Sequence, residues 1–134
     1  MDPQISRAEE EAQNDWLAPD RTAKRSGGKV KFMHEYAYAR DLAKQRDQNL
    51  FIDFETTWCG PCKSMDQWVY TADTVVSATK NMLCVKIDGD ENRDLVKKFD
   101  VTGYPTLILV APDGEILKKV SGYQSVINTV NFIK

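Results

Sequence analysis

The period of apolar and polar positions changes repeatedly along the chain. Residues 29–32 alternate and predict a short edge strand guarded by lysines. From His34 to about Arg46 the spacing becomes helical, with Tyr38, Ala39, Leu42 and Ala43 on one side, Glu35 early, and Lys44 and Arg46 late, as the helix dipole prefers. Leu50-Phe51-Ile52-Asp53-Phe54 is a nearly continuous apolar run, the mark of a strand covered on both faces, broken only by Asp53. Met65, Trp68 and Val69 then fall at helical spacing, turns follow around Tyr70 to Asp73, and a second helical segment lies near Val75 to Thr79. Residues 82–87 read as the next buried strand, and Asp88 and Gly89 turn the chain into a short helix carrying Leu95, Val96 and Phe99. Strands over 106–110 and 115–120, joined by Pro112-Asp113-Gly114, form a hairpin, and Val126, Ile127, Val130 and Ile133 give a last amphipathic helix. Strands alternating with helices before a closing hairpin and helix predict an α/β sandwich with a central mixed sheet flanked by helices.

Residues 1–28 do not fit this scheme. They hold Pro3, Pro19, Gly27 and Gly28, are mostly polar, and read as a flexible or partly helical extension ahead of a domain over 29–134. Ser6 and Glu9 match a capping box, while Ala8, Ala12 and Trp16 fall four apart, so a short helix fits there; Glu9-Glu10-Glu11 reads as a solvated face. The preferred reading is a mobile tail.

At 134 residues and 42% hydrophobic, the chain suits one domain that needs no disulfide staples. A net charge of −2 offers no dominant basic face, which argues against nucleic acid as partner. No apolar run approaches the roughly 18 residues that span a bilayer. Met1-Asp2-Pro3-Gln4 lacks the basic-then-apolar order of a secretory signal. The expected compartment is the cytoplasm, or an extracytoplasmic or periplasmic space if the chain is an excised domain.

The chemistry concentrates in Trp58-Cys59-Gly60-Pro61-Cys62, between the apolar strand and a helical stretch. Unpaired N–H groups at a helix start, with the positive end of its dipole, stabilise a thiolate and lower its pKa. Pro61 is tolerated because it falls in the first turn. The competing reading is half of a zinc site. Zinc takes about four Cys or His ligands, and outside the motif only Cys84 and His34 remain, in no second pair. Redox chemistry is therefore preferred and no metal is expected. Asp53, a carboxylate inside an apolar strand, should have a raised pKa through desolvation.

Phe51-Ile52-Asp53-Phe54, Trp58-Cys59-Gly60-Pro61-Cys62-Lys63, Val85-Lys86-Ile87-Asp88 and Val101-Thr102-Gly103-Tyr104-Pro105-Thr106 occur in an order that resembles the thioredoxin-fold oxidoreductases. The likeness covers residues 29–134. It implies a thioredoxin fold, with Cys59 as nucleophile at the outer lip and Cys62 resolving the mixed disulfide from inside the helix. Asp53 would take the proton of Cys62, and Pro105 would be cis and face the sulfurs. The backbone of Tyr104 would pair with an extended substrate. Trp58 would shield the sulfurs, Gly60 would let a substrate backbone approach, and Gly103 and Gly122 would keep the rim low.

Two departures stand out. Many thioredoxins carry a lysine beside the buried acid. Counting back from Asp88 places Cys84 there, with Lys86 read on the opposite face, so Asp53 is expected to lack a cation. Gln67 replaces the family's helix-kinking proline, which predicts a straighter or shorter helix. Cys84 reads as an inert core thiol.

The implied function is reduction of protein disulfides by dithiol-disulfide exchange, with no cofactor besides the redox-active Cys59–Cys62 disulfide. The implied partners are protein disulfide substrates and an upstream donor, such as a thioredoxin reductase or a membrane thiol donor, acting on a monomer. Two alternatives stay open: an exported isomerase or oxidant, and a non-catalytic interaction module on the same fold.

Overall fold

The computed structural model describes residues 16–134. The capping box at Ser6 and Glu9 and the acidic run at Glu9-Glu10-Glu11 lie outside the described residues. In chain order the elements are α1 (Ala18–Arg21), α2 (Tyr36–Arg46), β1 (Leu50–Glu55), α3 (Gly60–Ser64), a π-helical turn (Met65–Val69), α4 (Asp73–Ala78), β2 (Leu83–Asp88), α5 (Arg93–Lys98), β3 (Thr106–Val110), β4 (Ile116–Ser121) and α6 (Val126–Ile133).

The four strands form one mixed sheet in the order β2-β1-β3-β4. β1 and β2 run parallel, and β3 is antiparallel to both β1 and β4. The ends of β1, β2 and β4 and the start of β3 therefore meet at one end of the sheet.

Side chains along β1 alternate between two cores, as the pleat requires. Leu50, Ile52 and Phe54 join Ala39 and Ala43 of α2, Val85 and Ile87 of β2, and Phe99. Phe51 faces the other way, into a cluster with Met65, Val69, Tyr70, Val75, Leu107, Val126 and Ile133. Asp53 shares the face of Phe51 and is paired with Leu107 of that cluster, so this strand aims a carboxyl beneath the helix that follows the cysteines.

Three expectations change. The edge strand predicted over 29–32 is not formed: the segment touches the sheet through a single bridge, Met33 to Val85. Val30 is buried, and its N–H bonds to the carbonyl of Tyr70 at 2.9 Å, so the backbone there is committed to the π-helical turn instead of a ladder. Of the two outcomes expected from Gln67, a straighter or a shorter helix, the first is not met, while the α-helical part is short and ends at Ser64. The helix then widens at Met65–Val69, where the Tyr70 N–H bonds to the Met65 carbonyl at 2.9 Å.

The third change concerns the tail, because residues 16–28 lie against the domain. Leu17 is buried, and the buried Asp20 carboxylate accepts the Tyr123 hydroxyl at 2.5 Å and the Val126 N–H at 2.9 Å. Arg25 donates to the carbonyls of Asp20 and Trp68 and to the Thr71 hydroxyl, and Ser26 bonds to Asp73. Composition weighs only polarity, whereas Asp20, Arg25 and Ser26 find partners more than forty residues away in the chain.

Candidate active site

Cys59 caps α3. Its backbone is extended, its N–H bonds to the Thr56 carbonyl at 3.3 Å, and its Sγ accepts the N–H of Cys62 at 3.1 Å. Pro61 sits in the first turn, where a missing N–H is harmless. Cys59 and Cys62 form a disulfide with their Cα atoms 5.3 Å apart. Burial does not separate an outer from an inner cysteine, since the two are 3% and 2% exposed. Position does: the amide of Cys62 points at the sulfur of Cys59, and that hydrogen bond strengthens when the sulfur carries charge.

Asp53 is fully buried, and neither of its oxygens has a hydrogen-bond partner among the described residues. Burial pushes its pKa up to about 8, against the pull of the Lys86 ammonium. The Tyr70 hydroxyl, also buried and unpartnered among the described residues, lies close enough for the two groups to influence each other. Burial first, and then Asp53, raise the Tyr70 pKa.

Lys86 overturns one sequence expectation. Residues 84 and 86 are two apart on β2, so their side chains share a face, and the β1–β2 register sets Phe51 beside Cys84 and Asp53 beside Lys86. The cation is therefore present, one pleat along from the family's place. Lys86 bonds to Asp66 and lies 3.4 Å from Glu55. Burial opposes its charge, but Asp66, Asp53 and Glu55 outweigh burial and raise its pKa. Asp53, Glu55 and Asp66 are the single group among the described residues whose ligating atoms approach one another closely enough to hold a metal, and the Lys86 ammonium already serves them. Cys84 is a free buried thiol, pushed up to about 12 by burial.

The rim is built from four loops at the same end of the sheet. The Tyr104–Pro105 peptide is cis. Trp58, 67% exposed, meets Tyr104 edge to face at 5.9 Å between centroids, and its indole N–H donates to Asp90 at 2.8 Å. Tyr104 lies over Gly89, where an added Cβ would collide with the phenol oxygen. The Gly122 N–H bonds to the Pro105 carbonyl at 2.8 Å, and a Cβ on Gly60, Gly103 or Gly122 would meet nothing, so this ground is open. Sequence reasoning does not single out Gly89, Asp90, Lys86 or Tyr70 for the site. The acidic turn Asp88-Gly89-Asp90 after a buried strand is the available signal for the first two.

A thioredoxin family model matches residues 29–134. The chain belongs to the thioredoxin family. It is 41% identical over 83 residues to mitochondrial thioredoxin-3 of Saccharomyces cerevisiae, covering 62% of this chain and 61% of that one. Against a maize protein disulfide-isomerase the identity is 34% over 94 residues, or 70% of this chain but 18% of the relative. The crystal structure of the oxidised yeast thioredoxin 3 superposes with a TM-score of 0.60 at 35% identity, over 77% of this chain and 92% of that chain. Thioredoxin membership and the Cys59–Cys62 pair together support thiol-disulfide oxidoreductase activity. Residues 16–28 precede the matched stretch.

Proposed function

We propose that this thioredoxin-family chain reduces disulfides in protein substrates. The observation that carries the reading is the Cys59 sulfur at the start of α3 with the Cys62 N–H directed at it. In the reduced protein the Cys59 thiolate attacks one sulfur of a substrate disulfide, forming a Cys59–substrate mixed disulfide and expelling the other sulfur as a thiolate. Cys62 passes its proton to the ionised fraction of Asp53, a minority at neutral pH because burial raises that carboxyl, and then attacks Cys59, closing the Cys59–Cys62 disulfide and releasing the second substrate thiolate. Two electrons pass from the dithiol to the substrate, and the expelled thiolates take up two protons, one that left Cys62 and one from solvent, since Cys59 enters already ionised. The two sulfurs suffice, so no bound cofactor enters.

The intervening Gly60-Pro61 favours a reductant. A histidine there would stabilise the thiolate electrostatically and make the disulfide more oxidising. A dithiol donor must restore the reduced form, a soluble flavoenzyme reductase or a membrane thiol donor according to compartment. The test is insulin reduction with dithiothreitol as electron source, followed by titration of the Cys59–Cys62 couple against glutathione. Rapid insulin turnover and a potential near the reducing end of the family's range are expected. A strongly oxidising potential assigns the chain to disulfide formation instead.

A further inference from the structure

Trp16 is 66% exposed, yet it is held in place. Its ring stands edge-on to Tyr123 at 4.5 Å between centroids, with an interplanar angle of 89°. The mount beneath it is firm. Leu17 is buried, the Arg21 N–H bonds to the Leu17 carbonyl at 3.0 Å, and Asp20 takes both the Tyr123 hydroxyl and the Val126 N–H. Arg25 ties the Asp20 carbonyl to that of Trp68. Ordering such a segment costs conformational entropy, and an indole left mostly in water returns little of it through burial.

Tyr123 directly follows Gly122, whose N–H bonds to the Pro105 carbonyl at 2.8 Å. Consecutive Cα atoms are about 3.8 Å apart, so the Trp16–Tyr123 pair begins one residue from the cis-proline. The sheet order β2-β1-β3-β4 puts the loop after β2, with Gly89 and Asp90, and the loop after β4, with Gly122 and Tyr123, at opposite edges of the same end. Pro105, at the start of β3, lies between them. Trp58 and Tyr104 thus form an aromatic wall toward one edge, and Trp16 and Tyr123 form a second toward the other.

We infer that Trp16 and Tyr123 extend the substrate-docking surface, so that an extended protein segment lying along Tyr104–Pro105 continues over Gly122 and places a large apolar or aromatic side chain, a few residues from its cysteine, against the Trp16 ring. The occupant is a substrate chain because the Gly122 N–H bonds to the Pro105 carbonyl and Tyr123 follows directly, so the Trp16 ring stands next to that rim, and because an exposed, rigidly mounted Trp is among the side chains that dominate protein contacts. The inference rests on the oxidoreductase reading above. It adds to that reading a selectivity supplied by Trp16, which precedes the family-matched stretch, standing against Tyr123 within it.

The experiment compares two synthetic peptide disulfides with the same cysteine environment, one ending close to the disulfide and one extended by several residues with a central Phe or Leu. The full chain should reduce the extended peptide with a KM about fivefold lower, equivalent to about 1 kcal/mol from one aromatic contact. Trp16→Ala should raise that KM to the value for the short peptide and leave kcat, the short peptide and a small aromatic disulfide unchanged. Trp16→Phe should recover most of the preference, which separates ring contact from loss of the segment's fold. Equal KM values for both peptides in the wild type, or a preference that survives Trp16→Ala, overturns the inference while leaving reductase activity intact. Failure of the wild type to reduce even the short peptide and the small disulfide removes the oxidoreductase reading, and the inference with it. A preference that appears only at high protein concentration, together with dimers on sedimentation, identifies a second copy as the occupant and overturns it as well.

Discussion

Lys86 stands beside Asp53 across the β1–β2 register and spends its charge on Asp66 and Glu55 as well. A single ammonium thus sits among three carboxyl groups, one of them fully buried. Burial dominates the titration of Asp53, and the Lys86 ammonium is the strongest influence opposing it.

The sign of the pH effect follows. Asp53 titrates at about 8 in the folded chain and at the ordinary 3.8 when unfolded. Between those values the folded state binds the extra proton, so this group's contribution falls as pH rises from about 4 to about 8 and is flat beyond. Asp53→Asn should abolish that slope and stabilise the fold by a few kcal/mol above pH 8, on the order expected for relieving a buried charge. It should also slow resolution by Cys62 more than attack by Cys59. Urea unfolding at a series of pH values, with stopped-flow kinetics, reads both; an unchanged slope would mean that Asp53 is not the titrating group.

Lys86→Met removes the cation that lowers the Asp53 pKa, so that pKa should climb further. The pH at which resolution accelerates should move up with it. Carbon-13 titration of the Asp53 carboxyl measures the shift directly, and a downward or absent shift would show that Lys86 is committed to Asp66 alone.

Much of this site is legible in the order of residues alone. Cys59 and Cys62 announce themselves through local order, because the chemistry needs a strand, a tight turn and a helix start in succession, whereas Pro105 enters only through the family resemblance, since a proline ahead of a strand is ordinarily trans. Asp53 is visible as a polar break in an apolar run. Lys86 is misplaced by a period error, since residues two apart on a strand share a face. Asp20 is invisible for another reason. Its value lies in Tyr123 and Val126, over a hundred residues away, and no local pattern encodes that pairing. The π-helical turn at Met65–Val69 likewise has no marker in composition or spacing.

Gly89→Ala tests the wall formed by Trp58 and Tyr104. The new Cβ would collide with the Tyr104 hydroxyl and fall 2.5 Å from two ring atoms, so the ring must swing aside. Because the obstructing atoms are the far end of one side chain, the melting temperature should drop by only a few degrees. KM for protein substrates should rise several-fold, with small disulfides unaffected. A loss of small-disulfide turnover would place Tyr104 in the chemistry instead of in docking.

Removing residues 1–28 should destabilise the domain. The deletion leaves the Val126 N–H and the Tyr123 hydroxyl without their carboxylate and strips Arg25 from the Trp68 carbonyl. Hydrogen bonds to charged groups contribute roughly 1.5–3 kcal/mol each, so a loss of about 2–4 kcal/mol is expected on thermal unfolding. Asp20→Ala alone should account for most of it. The redox midpoint of Cys59–Cys62 should hardly move.

The two cysteines decide whether the site is a working dithiol. Equal burial means that accessibility alone does not favour Cys59, so its reactivity must come from the Cys62 N–H and the start of α3. Cys62, a turn inside α3 and 2% exposed, should remain mostly a thiol until attack has occurred, because burial disfavours its charged form. Cys62→Ser should therefore trap a stable mixed disulfide with protein substrates through Cys59, while Cys59→Ser should trap little. In the reduced wild type, brief iodoacetamide treatment at pH 7 should label Cys59 first, and Cys84, with its thiol pushed up to about 12, should react only on unfolding. Mass spectrometry of the labelled peptides gives the order. Preferential labelling of Cys62, or slow and equal labelling of both with no trapped partner, would remove the asymmetry on which the exchange mechanism depends.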